Sequence, residues 1–236
     1  SQTVNVPIVG DAVVEPNESF NVGISALNAG ALAANVSLGT ATGTGTINND
    51  DAAIPVVSIS NQSGLESATP MSFTVSLDVV ATQASSVLVT TSNGTATTAD
   101  NDYSAVSQTV NFAVGQQSQT VTVPIINDNK VEANESFSVT LSAPNNLTLG
   151  TSVGTGTINN DDSAVVSVGS NTQAEGNGPG TTNMPFTVSL TNPVDAAVSV
   201  SFATSNGTAT SGVGNDYTAL TTTTLTFGVG VTTQTV

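Results

Sequence analysis

The sequence predicts an all-β protein made of tandem immunoglobulin-like seven-strand Greek-key β-sandwiches, and three observations lead there. Apolar and polar residues alternate with a period of two through short runs, turn-rich pieces separate those runs, and the pattern recurs along the chain. With 236 residues and 38% apolar content, the chain is long enough and apolar enough to bury real cores. Aromatic residues make up only 4%, with no Trp, while Thr, Ser, Val, Asn and Gly are plentiful, the composition of short strands joined by polar turns.

Seven strands are expected in the most complete copy, taken in order. The first spans roughly 54–60, and the second, roughly 70–79, alternates Phe73, Val75 and Leu77 with polar residues. The third, roughly 85–92, runs into the turn "SNGTA". A fourth at roughly 106–112 is separated by "GQQ" from a fifth at roughly 118–126, which carries Val121, Val123 and Ile125. The sixth, roughly 135–142, alternates Phe137, Val139 and Leu141 and ends at "APNN", and the seventh covers roughly 152–159. No strand–helix–strand alternation argues for a parallel sheet.

The repetition is close. "GTGTINNDD" stands at 43–51 and again, unchanged, at 154–162, and "SQTVNVPIVGDAVVEPNESF" at 1–20 is echoed by "SQTVTVPIINDNKVEANESF" at 118–137. "TSNGTATTADNDY" at 91–103 returns as "TSNGTATSGVGNDY" at 204–217, giving a unit of about 113 residues. Residues 1–52 therefore read as the C-terminal half of one repeat, 53–162 as a complete repeat, and 163–236 as the N-terminal half of a following one. The phase of the copies suggests one period of a longer repetitive polymer. Neighbouring repeats would complete one another end to end, by strand or half-domain complementation.

Charge and residue types exclude several functions. Against 17 Asp and Glu stands one basic residue, Lys130, for a net charge of −16, which repels nucleic acid and anionic membrane surfaces. No apolar run is long enough to span a membrane. Cysteine and His are absent, removing disulfides, zinc sites and the usual imidazole base, and no other catalytic constellation stands out, so a non-enzyme is expected. An acidic, Thr-rich chain without Cys suits a secreted protein, at the cell surface or outside the cell, of bacterial origin.

The acids are not scattered. All but Asp78, Asp100 and Asp195 fall in recurring segments: Asp11, Glu15 and Glu18; Asp50 and Asp51; Glu66; Asp102; Asp128, Glu132 and Glu135; Asp161 and Asp162; Glu175; and Asp216. Each segment lies where a strand begins or ends, and Greek-key connections return alternate strand ends to one pole. Carboxylates gathered there without basic partners repel unless a cation neutralises them. A hard cation suits oxygen-only ligands on loops, and Ca²⁺, with about 6–8 oxygens in flexible geometry, suits them better than Mg²⁺.

The succession "GTATTADNDY", "VTVPIINDNKVEANESFSVTLSAP" and "GTGTINNDD" resembles the Calx-beta domain, over essentially the entire chain. The resemblance implies a seven-strand sandwich binding Ca²⁺ in a cluster at one end, near the junction with the next domain. In the complete copy it implies as ligands Glu66, Asp102, Asp128, Glu132, Asp161 and Asp162, with Glu135 as a nearby carboxylate. In the first copy it implies Asp11, Glu15, Glu18, Asp50 and Asp51, and in the third Glu175 and Asp216, two complementary partial sets. The sequence departs from the family pattern at Asn127 and Asn160, matched by Gly10 and Asn49, where acids are common.

The expected function is a structural repeat of an extracellular fibre or large adhesin, stiffened by Ca²⁺ at the junctions between domains. The alternative is an adhesion module that binds a cell-surface glycan or protein through loops away from the metal pole. Blander readings compete for single motifs. "NDD" is also a good polar turn, Tyr103 and Tyr217 suit a corner that ties down a loop, and the repetition of Glu132 and Glu135 in every unit argues against a glycosidase pair.

Overall fold

The computed structural model describes every residue except 12, 33–34 and 213–215. The chain divides into two compact units, Ser1–Pro55 and Val56–Val236. The first unit is an antiparallel pair, β1 (Glu18–Gly23) and β2 (Thr42–Ile47), in a register that sets Phe20 against Gly45. Residues 1–8 form no strand there, although their near-copy at 118–123 does in the second unit. The reason is the partner: a strand needs a neighbour for its backbone hydrogen bonds, and Ser118–Val123 has Met71–Leu77 beside it.

In the second unit the strands are β3 (Val56–Ile59), β4 (Gln62–Leu65), β5 (Met71–Leu77), β6 (Ser85–Asn93), β7 (Ser107–Phe112), β8 (Ser118–Val123), β9 (Glu135–Asn145), β10 (Thr148–Leu149) and β11 (Val153–Asn159). They form one sheet in the order β10-β3-β5-β8 and another in the order β4-β11-β9-β6-β7. The strand expected at 54–60 is β3, and directly after it the chain changes sheets to form β4, a short strand that was not expected. Gly154 permits the change, since a Cβ there would stand 2.5 Å from the Ser60 carbonyl oxygen at the crossing. Beyond this point β4 runs parallel to β11, with Gln62 opposite Gly156.

The core fills from the alternating positions. Met71, Phe73, Val75 and Leu77 of β5 are all buried, as are Val121 and Val123 of β8 and Phe137, Val139 and Leu141 of β9. Each such side chain contributes about 1.5–3 kcal/mol by leaving water. Phe137 is the hub. Phe73 meets it edge-on at 5.9 Å and Tyr103 stacks on it at 4.5 Å. The Tyr103 hydroxyl donates to Asn93 Oδ1 at 2.7 Å, the corner expected for it, and Tyr217 repeats the bond to Asn206 at 2.7 Å.

The second glycine of the recurring Gly-Thr-Gly has a steric cause. A Cβ on Gly156 would lie 2.5 Å from the Phe137 ring, and one on Gly45 would lie 2.5 Å from the Phe20 ring. In both copies the strand passes over a phenylalanine face that leaves no room for a side chain.

The remainder of this unit holds β12 (Val166–Val168), β13 (Thr187–Leu190), β14 (Val198–Phe202), β15 (Thr223–Phe227) and β16 (Thr233–Thr235). They form a β12-β13-β16 sheet and a β14-β15 pair around a smaller core of Val188, Leu190, Val194 and Phe227.

Candidate metal centre

At one pole of the sandwich formed by β3 to β11 four chain segments converge. Glu66 follows β4 and extends its pairing, its N–H donating to the Asn159 carbonyl at 3.0 Å. Asp102 sits in the loop after β6, its carboxylate accepting the Thr97 N–H at 2.6 Å and its carbonyl the Ile126 N–H at 3.0 Å. The segment 128–135 leads into β9, and Asn160 to Asp162 follow β11.

Cross-links hold these segments together. Glu66 Oε1 accepts the Asp128 N–H at 2.8 Å, and Asp128 Oδ1 accepts the Lys130 N–H at 2.6 Å. Asn160 Oδ1 accepts the Glu132 N–H at 2.9 Å, its Nδ2 donates to the Asp162 carbonyl at 2.9 Å, and its own N–H reaches Asn134 Oδ1 at 3.1 Å.

Two acid groups result: Glu66, Asp128 and Asp162, and Asp102, Glu132 and Glu135, the ligand oxygens of each lying within 4.8 Å of one another. That span equals two opposed Ca–O bonds of roughly 2.4 Å. A cavity of about 10 Å³, room for one water-sized sphere, is lined by Asp102, Glu132 and Glu135 of the second group, by Glu66 of the first, and by Ala133, Ile158 and Asn160. Asp161 belongs to neither group and accepts a short hydrogen bond from the Ser67 hydroxyl.

The electrostatics show what the pole lacks. Glu66 and Asp102 are only 4% and 6% exposed. Burial raises the Glu66 carboxyl above its usual range, opposed by the Asp128 N–H, and burial likewise raises Glu132, opposed by Lys130. Glu135 is pushed up to about 7, first by burial and then by its hydrogen bond with the Asp102 carboxylate. Asp162 Oδ2 is buried without a hydrogen-bond partner. An unpartnered buried carboxylate oxygen beside crowded acids suits a cation ligand, and a donor set of oxygens alone fits a hard cation.

The other sequence-predicted acids are wired alike but not gathered. Asp11 Oδ1 accepts the Val13 N–H at 2.8 Å, as Asp128 does for Lys130, and Asn49 ties the Glu15 N–H to the Asp51 carbonyl, as Asn160 does for Glu132 and Asp162. Asp216 accepts the Thr210 N–H at 2.9 Å, as Asp102 does for Thr97. Among the described residues, Asp11, Glu15, Glu18, Asp50, Asp51, Glu175 and Asp216 enter no group of three ligand-bearing residues.

The sequence alone assigned no site role to Asn160, Ser67, Lys130 or Asp195. Asn160 had a usable signal, the same Asn at the same place in both copies, whereas Asp195 belongs to the next repeat and had none. Val131 bridges to Val194 in parallel fashion, its N–H donating to the Pro193 carbonyl at 3.0 Å, while the Asp195 N–H donates to the Val131 carbonyl at 3.1 Å.

Fold and site together define an all-β sandwich module with a carboxylate-rich pole suited to a divalent cation. The chain belongs to the Calx-beta domain family, which matches it over residues 1–51, 48–163 and 159–236. Calx-beta domains are calcium-binding modules. Among solved structures, the apo form of the Calx CBD1 domain is similar at 22% identity, covering 47% of this chain and 100% of that one, with a TM-score of 0.43. CBD12 from CALX1.2 is 18% identical over 76% of this chain and 72% of its own, with a TM-score of 0.43. The calcium binding domain CBD12 of CALX1.1 is 20% identical over 74% and 70%, with a TM-score of 0.41. No curated protein matches the chain.

Proposed function

We propose that this chain is a structural stretch of an extracellular fibre or large adhesin, in which Ca²⁺ bound at the junction between repeats stiffens the array. The observation that carries the reading is the position of Val131. Its main chain pairs with the following repeat at Val194, and it stands between Asp128 of one acid group and Glu132 of the other. A cation drawing on both acids would immobilise the same few residues that hold the next repeat.

Glu66, Asp128 and Asp162 would hold one ion, and Asp102, Glu132 and Glu135 a second. The ion supplies positive charge where the chain has almost none. The chain's residues supply oxygens already oriented by the Asn160 and Thr97 bonds. Calx-beta is not a catalytic domain, and among the described residues no helix is long and apolar enough to cross a membrane. The reading takes 53–162 as the complete repeat, with 1–52 and 163–236 as parts of its neighbours. β9 has β11 on one side and β6 on the other, whereas among the described residues its counterpart β1 pairs with β2 alone, and β14, the counterpart of β6, with β15 alone. These two open edges match, which supports pairing of β1 from one copy with β14 of another along a head-to-tail array.

The test is thermal unfolding of the chain in Ca²⁺ and in chelator, because a ligand that binds only the native state raises the midpoint. The midpoint should rise by many degrees in Ca²⁺, and Asp128→Asn with Asp162→Asn should abolish most of the rise. An equal midpoint in both solutions overturns the reading.

A further inference from the structure

Lys130 is the only basic residue in the chain. Its ammonium lies 2.5 Å from Glu132 Oε1, with the two side chains 25% and 11% exposed. Its own N–H meanwhile donates to Asp128 Oδ1 at 2.6 Å, so its main chain touches one acid group and its side chain the other. The turn does not need a lysine. In the first copy Val13 holds the same position and makes the same backbone bond to Asp11 at 2.8 Å.

Asp195 is the matching oddity. Its N–H is fixed to the Val131 carbonyl, and its charge acts on both Lys130 and Glu135. The complete repeat carries Thr82 at the corresponding position. Lys130 stands where the first copy has Val13, and Asp195 where the middle copy has Thr82, so each of two neutral positions carries a charge here, and the two charges are opposite and act on each other.

We propose that Lys130 is a tethered counter-cation: it holds Glu132 while metal is absent, competes with Ca²⁺ for that carboxylate, and on displacement turns to Asp195 of the following repeat. This rests on the reading of Glu132 as a metal ligand. An ammonium at hydrogen-bond distance from Oε1 and a divalent ion on the same oxygen repel, so one must leave. The flexible four-carbon stem lets the lysine be the one that moves, and Asp195, whose N–H is bonded to the Val131 carbonyl, is the acid of the following repeat whose charge acts on the ammonium. Metal binding thereby transfers a charge pair from within one repeat to the junction between two.

The experiment is calorimetric Ca²⁺ titration of the chain and of Lys130→Gln, Lys130→Arg and Asp195→Asn, with unfolding midpoints in chelator. Lys130→Gln should tighten Ca²⁺ binding by about fivefold and lower the midpoint in chelator, opposite signs that a merely structural role would not produce. Lys130→Arg should stay near the parent in both. Asp195→Asn should weaken Ca²⁺ binding in the parent and have a smaller effect in the Lys130→Gln background. Unchanged or weaker binding by Lys130→Gln, with the parent binding Ca²⁺, overturns the lysine proposal alone. Binding by Lys130→Gln but not by the parent supports it, and binding by neither overturns it together with the metal reading.

Discussion

Asn160 Oδ1 accepts the main-chain N–H of Glu132 at 2.9 Å, and the same amide donates from Nδ2 to the Asp162 carbonyl at 2.9 Å. One neutral side chain thus ties the segment entering β9 to the one leaving β11, and its amide accepts with the oxygen while it donates with the nitrogen. Asn160→Asp keeps the acceptor, loses the donor and adds a charge to a pole already crowded with acids. It should lower stability in chelator by about 1–2 kcal/mol while tightening Ca²⁺ binding. Urea unfolding in chelator and in Ca²⁺ checks both signs, and a stability gain in chelator would contradict the clasp.

Gly156 lies under the Phe137 ring with no room for a Cβ, which would approach to 2.5 Å. Gly156→Ala should therefore cost about 1–3 kcal/mol through overpacking, because Phe137 is 1% exposed and pinned by Phe73 and Tyr103. Phe137→Leu should therefore cost less in the Gly156→Ala background than it does alone, because the smaller side chain relieves the contact. A double variant no more stable than the sum of the two single effects would show that the ring is not the obstacle.

The fold was legible because its signals are local. Alternation at Phe73, Val75 and Leu77, or at Phe137, Val139 and Leu141, marks strands wherever the chain has a neighbour to pair with. The missing strand at residues 1–8 shows the limit, since "SQTVNV" and "SQTVTV" are nearly one sequence and only the second has β5 beside it. The change of sheets between β3 and β4 was illegible for a related reason: Ser60 and Asn61 look ordinary, and the close approach of Gly154, far along the chain, makes the crossing. At the pole, recurrence singled out the acids, but the split into two groups and the separate place of Asp161 depend on which segments meet.

The raised Glu135 carboxyl sets a pH dependence of definite sign. Its folded value is about 7 against an ordinary 4.5, so its contribution to stability is fully present below about pH 4.5 and is lost as pH rises through about 7. Glu66 and Glu132 shift in the same direction, again chiefly through burial. In chelator the unfolding midpoint should therefore fall between about pH 4.5 and 7.5. Ca²⁺ affinity should climb over the same range as the proton leaves, and Glu135→Gln should flatten both curves. A midpoint in chelator that rises across this window would contradict the burial argument.

The junction can be separated from the metal chemistry at Val194, which is 4% exposed and lies in the following repeat, outside both acid groups. Val194→Asn places an amide where Val131 now packs and pairs, and an amide buried without partners disfavours the closed junction. The chain has no cysteine, so spin labels at Gln108→Cys and Thr226→Cys report one distance across the junction without background. In the parent that distance should be narrowly distributed in Ca²⁺ and broad in chelator. In Val194→Asn it should be broad in both, while Ca²⁺ affinity stays within roughly twofold of the parent, because all six acids of the two groups remain. The two readouts part company only if metal stiffens the array through the Val131 to Val194 pairing. A narrow distribution in the Ca²⁺-loaded variant would mean the stiffening runs through some other contact.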